Sequence, residues 1–168
     1  DLMVRSVQTL LADSGITSQQ ITSAMLSLTV YGEVPGTEEF FPQVMQSILP
    51  DCPLQFSNDS VAGWCGSLAG RPGINIVAGT GSVAYGQDSA GNASRVGGWS
   101  LFFADEGSCS WVARQMITEF VKQADGRHPR SAIYEELRQE LSITHDLYFS
   151  GYLQTNVRQD SSLLAKLQ

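Results

Sequence analysis

Gly79-Thr80-Gly81-Ser82 follows directly on the apolar run Ile74–Ala78. A strand that runs into a Gly/Thr/Ser loop presents backbone N–H groups and hydroxyls, the donors with which proteins hold phosphate oxygens. Farther along come Gly97-Gly98-Trp99 and then Asp105-Glu106-Gly107-Ser108. This second glycine turn carries an aromatic ring and a carboxylate, which suit a sugar better than a nucleotide. Upstream, Asp59 stands between a short strand-like run and a helical one. Its carboxylate is thereby expected at the C-terminal edge of a sheet, where α/β folds bind ligands. A carboxylate there can accept the proton of an attacking hydroxyl. The set reads as two halves of a phosphoryl-transfer site.

Each of these residues also has a plainer role open to it. Asp59 could cap the helix that follows, and Asp105 with Glu106 could do the same for the helix opening at Ser108. Gly79 and Gly81 could turn a hairpin through positive φ angles, and an isolated Trp99 would most often be core. The hairpin explanation accounts for the glycines but leaves the downstream aromatic and carboxylate without a purpose. Asp105 can serve both roles, since a carboxylate has two oxygens with which to accept sugar hydroxyls. Glu106 is left between a structural and a binding role. His128 and His145 sit in polar, loop-like surroundings and read as solvated, while Cys65 and Cys109 read as small buried apolar residues.

The elements that position these residues follow from periodicity. Leu2, Met3, Val7, Leu10 and Leu11 have helical spacing, and Ala24–Val30 is a partly β-branched run expected as a buried strand. Thr37 before Glu38 and Glu39 marks a helix start, with Phe40, Phe41, Val44, Met45 and Ile48 on its face and an end near Pro50. Leu54–Ser57 is a second strand and Val61–Leu68 the helix after it. This alternation is that of an α/β layer. Gly70-Arg71-Pro72-Gly73 punctuates the chain and divides it into residues 1–70 and 71–168. Ile74–Ala78, Ser82–Gly86 and Ala93–Gly97, separated by the turn Asp88–Asn92, predict a small antiparallel meander. A long helix then carries the stripe Val112, Ala113, Met116, Ile117, Phe120 and Val121. Another spans Ser131–Leu141, with Ile133, Tyr134, Leu137 and Leu141 inward. The sequence begins inside a helix without a cap and ends beside Leu163–Leu167 without a stop signal, so both ends read as cut from something larger.

With 168 residues, 42% of them apolar, the chain is long enough to bury a core. The net charge of -7 and the absence of a basic run exclude nucleic acid and anionic membrane surfaces as partners. Cys52, Cys65 and Cys109 are odd in number, far apart and without a C-x-x-C pair, which argues against a disulfide framework or a zinc site. No stretch resembles a signal peptide or a membrane span, so the expected location is the cytoplasm. A homodimer is compatible with the sequence, which does not decide oligomeric state.

Taken in order and spacing, Asn58-Asp59, Gly79-Thr80-Gly81-Ser82, Gly97-Gly98-Trp99 and Asp105-Glu106-Gly107-Ser108 resemble the N-acetylglucosamine kinase branch of the BadF/BadG/BcrA/BcrD ATPase family. The resemblance runs from Asp1 to about Leu167. It implies an α/β, ribonuclease H-like actin/hexokinase ATPase fold, present in part: residues 1–70 as the end of the N-terminal lobe, residues 71–168 as the start of the C-terminal lobe. It also implies closure of the two lobes over a cleft. Family members begin with a hairpin bearing an Asp-Gly-Gly-x-Thr phosphate loop and end with a glycine-rich adenine segment. Those parts would precede Asp1 and follow Gln168.

By the same resemblance the activity is ATP-dependent, Mg²⁺-assisted transfer of the γ-phosphoryl group to an amino sugar, N-acetylglucosamine or glucosamine, at its 6-hydroxyl. Asp59 is implied as the base and a sugar contact. Gly79, Thr80, Gly81 and Ser82 are implied at the ATP phosphates, with Thr80 also near the sugar. Gly97, Gly98, Trp99 and Asp105 are implied as sugar contacts. Two competitors stand beside this reading. One is an ATPase activator of a radical dehydratase, which would hold an iron–sulfur cluster through cysteines. The other is a non-catalytic sugar-sensing module.

Overall fold

The computed structural model of the protein describes residues 2–157. The stretch Leu163–Leu167 lies outside them. The chain forms two compact units, the first running to Gly73 and including Gln87–Gly91, the second made of Ile74–Gly86 and Asn92 onward.

The first unit is a βαβ arrangement with a helix at either end. Its elements are α1 (Leu2–Ser14), β1 (Ala24–Leu28), α2 (Thr37–Gln46), β2 (Leu54–Asn58) and α3 (Asp59–Leu68). β1 and β2 pair in parallel, with Ala24 opposite Leu54 and Leu28 opposite Asn58. A parallel pair needs a crossover, and α2 supplies it. Side chains alternate across the pair. Ala24, Leu26, Leu54 and Phe56 pack on the core of Met45, Leu49 and Cys52, which Met3, Val7 and Leu11 of α1 also cover. Elsewhere on the pair, Ser27 and Ser57 hydrogen-bond through their hydroxyls at 2.8 Å, fixing the register.

Several local expectations are corrected here. The strand expected to reach Val30 stops at Leu28, and residues 29–35 form turns instead. Helix α2 does start at Thr37, as expected, with Gly36 in a left-handed conformation at φ 85° at the cap position before it. The Thr37 hydroxyl donates to the Val34 carbonyl at 2.7 Å. Leu10 and Phe40 face solvent, so the buried stripes of α1 and α2 are narrower than the sequence pattern suggests. Cys65, expected buried, is exposed on α3, and Cys109 is half-buried.

The second unit opens with a three-stranded sheet, β3 (Gly73–Ala78), β4 (Ser82–Gln87) and β5 (Ala93–Gly97), in sequential order. Connections this short permit only antiparallel neighbours. After it come α4 (Cys109–Ala124), α5 (Ala132–Glu140), α6 (Tyr148–Tyr152) and a π-helical turn, Leu153–Val157. The core is Phe120, Tyr134, Leu137, Ile143 and Phe149, with Met116 and Ile117 packed against it. Phe120 stacks on Tyr134 at 5.2 Å and meets Phe149 at 4.4 Å. Val112 and Val121, at the edges of the expected α4 stripe, remain partly in solvent.

Below this core an ionic cluster ties the loop after α5. Asp146 accepts from the Tyr134 hydroxyl at 2.9 Å and from Arg138, which also donates to the Thr144 carbonyl at 3.0 Å. His128 is exposed as expected but not alone: its Nδ1 lies 2.7 Å from Glu119 and holds that carboxyl below its ordinary value. Phe120→Ala removes the centre of the aromatic stack and is expected to cost about 3–5 kcal/mol. Denaturant unfolding monitored in the second unit checks this.

Candidate active site

In the first unit the strand β2 delivers Asn58 and Asp59 together, and the structure separates their roles. Asn58 is the N-cap of α3: its Oδ1 accepts from the Ser60 amide at 3.1 Å and the Ser60 hydroxyl at 2.7 Å. Its Nδ2 donates to the Thr29 carbonyl at 3.2 Å and to Glu33 at 2.8 Å, pinning the turn that follows β1. Asp59 is the first helical residue and is exposed. Its carboxylate makes no hydrogen bond or ion pair among the described residues. The capping role open to Asp59 is therefore taken by its neighbour, and Asp59 stands at a strand's C-terminal end with both oxygens available. Asn58→Ala is expected to lower stability by about 1 kcal/mol through loss of the cap. It should also loosen Asp59, a change readable as faster amide exchange at Asp59–Val61.

In the second unit the Gly79–Ser82 loop, the Gly97-Gly98 turn and the Asp105–Ser110 segment are joined by hydrogen bonds. The start of α4 reaches back to the loop, the Cys109 amide donating to the Gly79 carbonyl at 2.9 Å and the Ser110 amide to Thr80 at 3.3 Å. Ser82 links both turns: its carbonyl accepts from the Gly98 amide at 2.8 Å, and its hydroxyl donates to the Glu106 carbonyl at 2.9 Å. The Thr80 hydroxyl and the Thr80 and Gly81 amides have no partner among the described residues. These are the open donors of the loop.

Gly79 and Gly81 do not use positive φ, contrary to expectation; Gly97 and Gly98 do, at 79° and 69°. Gly81 is needed for another reason. A Cβ there would lie 2.7 Å from Asp105 Oδ2, so the loop and the carboxylate are in direct contact. At Gly97 a Cβ would meet the Ser82 carbonyl at 3.2 Å.

Asp105 is 6% exposed and in a left-handed conformation at φ 62°. It does not cap α4; Ser108 does, its hydroxyl accepting from the Trp111 amide at 3.1 Å. Asp105 Oδ1 is buried and has no partner among the described residues. An ionised carboxylate is costly to bury without donors. Trp99 is 84% exposed, which removes the core role open to it and leaves the ring presented to solvent beyond the glycine turn. Phe102 and Phe103, in the same loop, are exposed as well.

Two more polar atoms share Asp105's condition, Ser110 Oγ and Arg114 Nε, both buried and without a partner among the described residues. Neither was expected from the sequence. The signal available was their spacing, four residues apart and so on one side of α4.

The sequence model of the BadF/BadG/BcrA/BcrD ATPase family matches residues 1–165. The chain belongs to this family. It is 29% identical over 100 residues to an N-acetylmuramic acid/N-acetylglucosamine kinase of Clostridium acetobutylicum, covering 56% of this chain and 33% of that protein. An N-acetyl-D-glucosamine kinase of Dictyostelium discoideum is 26% identical over 90 residues, 53% of this chain and 28% of that one. The match thus spans about a third of the length of these relatives. Among solved structures, a protein of Chromobacterium violaceum provisionally assigned as an N-acetylglucosamine kinase superposes with a TM-score of 0.62 at 21% identity, over 94% of this chain and 54% of that one. A counterpart from Porphyromonas gingivalis, with the same provisional assignment, gives 0.59 at 18%, over 98% and 63%. The fold is accordingly the actin/hexokinase-like ATPase fold, present in part. Among the described residues no helix is long and apolar enough to cross a membrane.

Proposed function

We propose that this chain forms the central part of an ATP-dependent sugar kinase. It would contribute the end of the N-terminal lobe up to about Gly70 and the start of the C-terminal lobe after it. The observation that carries the reading is the buried, unpartnered Asp105 carboxylate held against a loop of unpartnered donors. Sugar hydroxyls supply what the carboxylate lacks, and phosphate oxygens accept what the Thr80 and Gly81 amides offer. Acceptor and donor substrates are thereby held side by side, and phosphoryl transfer depends mainly on such positioning.

In this reading Asp59 takes the proton of the attacking sugar hydroxyl. The hydroxyl oxygen forms a bond to the γ-phosphorus as the bond to the bridging oxygen breaks, releasing ADP. Trp99 lies against the sugar, and Gly97 and Gly98 let backbone groups reach its hydroxyls. No group of three or more His, Cys, Asp or Glu among the described residues could hold a metal ion. That suits Mg²⁺ as it usually binds in kinases, through substrate phosphates, water and one or two carboxylates. When bound it would neutralise charge on the phosphates that the Gly79–Ser82 loop is proposed to hold.

The proposed acceptor is N-acetylglucosamine or glucosamine, in line with relatives named as kinases of N-acetylated amino sugars, and the proposed position is the 6-hydroxyl that the family resemblance implies. Mass spectrometry and ³¹P NMR of the product made by the full-length protein test this. A hexosamine 6-phosphate is expected, and a 1-phosphate or an unmodified sugar would overturn the assignment. Gly81→Ala tests the contact between loop and carboxylate. The new methyl must displace Asp105, so the KM for sugar should rise about tenfold or more. An unchanged KM would show that Asp105 does not bind sugar from this position.

A further inference from the structure

On the reading of Asp105 as the sugar-binding carboxylate, we infer that Arg114 is a positioning residue that fixes this carboxylate in place. Asp105 holds φ 62°, a left-handed backbone state that is uncommon outside glycine, although aspartate enters it more readily than most residues. The Asp105 carboxylate makes no hydrogen bond of its own through Oδ1, so the constraint comes from the backbone on either side. On the C-terminal side, the Ser108 amide donates to the Asp105 carbonyl at 3.0 Å. On the N-terminal side, Arg114 Nη2 donates to the Ala104 carbonyl at 2.8 Å. The peptide entering Asp105 is therefore held by a side chain from the second turn of α4.

Three features make this a dedicated contact. Arg114 is half-buried on α4, directly after the fully buried Ala113. Its Nε is buried without a partner among the described residues, a cost that a free choice of residue would avoid. Finally, the backbone amide of Ser110, one turn earlier on α4, donates to the Thr80 carbonyl. Helix α4 thus grips both the donor loop and the peptide before the carboxylate, holding them at a fixed spacing. A guanidinium suits the task because its charged donor strengthens the bond to the carbonyl and its planar fork holds direction.

The test uses the full-length protein and the variants Arg114→Gln and Arg114→Lys, with Asp105→Asn alongside. Arg114→Gln should raise the KM for N-acetylglucosamine about tenfold while changing kcat at saturating sugar and the KM for ATP far less. Arg114→Lys, which keeps the charge, should recover part of the loss. Should Asp105→Asn weaken sugar binding while both Arg114 variants keep the parent KM, the inference is wrong and the site reading stands. An unchanged sugar KM in Asp105→Asn would instead remove the reading on which the inference rests. A loss of active protein in Arg114→Gln, with the sugar KM untouched and not recovered by lysine, would mark Arg114 as merely structural.

Discussion

Asp59→Asn in the full-length protein is expected to reduce kcat by about 10²–10⁴-fold, the usual worth of a positioned general base, with the Kd for sugar changed less than about threefold. The structure makes this a clean substitution. Asn58, not Asp59, caps α3 and ties the turn after β1, so the helix keeps its start when Asp59 is neutralised. Asp59 is exposed and makes no interaction among the described residues whose loss would perturb the fold. Rapid-quench measurement of the chemical step and calorimetric sugar titration separate the two quantities. A kcat within a factor of a few of the parent would remove Asp59 from the chemistry.

Asp105→Asn has the opposite profile and a second, independent readout. Hydrogen bonds to a charged acceptor are each worth about 1.5–3 kcal/mol, so weakening two should raise the sugar Kd on the order of a hundredfold. At the same time the apo protein should become more stable. A buried carboxylate with an unpartnered oxygen is a cost to folding, and asparagine is among the residues that tolerate a left-handed backbone. A higher Tm together with lost sugar binding is the signature of a site whose strain is relieved only by its ligand. A lower Tm would mean that Asp105 is structural.

Much of the arrangement can be read in the sequence because local signals agree there. Leu54–Ser57 followed by Asn58-Asp59 and an apolar helix gives strand, cap and helix in turn, and β2 and α3 form where the pattern puts them. The long stripe centred on Met116, Ile117 and Phe120 likewise becomes the helix that carries the second core. What the sequence could not disclose depends on contacts distant along the chain. Gly81 looks like a turn glycine, yet it is required because Asp105 approaches its backbone. Asp105 looks like a helix cap, but Ser108 takes that position and leaves the carboxylate buried. Thr37 opens α2 where the pattern puts it, but only the structure shows that its hydroxyl bonds backward to Val34 while Gly36 provides the turn. Cys65 has apolar neighbours in the sequence, although its place on α3 faces outward.

The measurement that bears most directly on the proposed activity is ADP release by the full-length protein supplied with ATP and Mg²⁺. It is run with N-acetylglucosamine, glucosamine, glucose or no sugar. Release that depends on an amino sugar, and is lost in Asp59→Asn, is the predicted result. Equal release with and without sugar would contradict the account in favour of an ATPase, and saturable sugar binding with no release at all would make the protein a sensor.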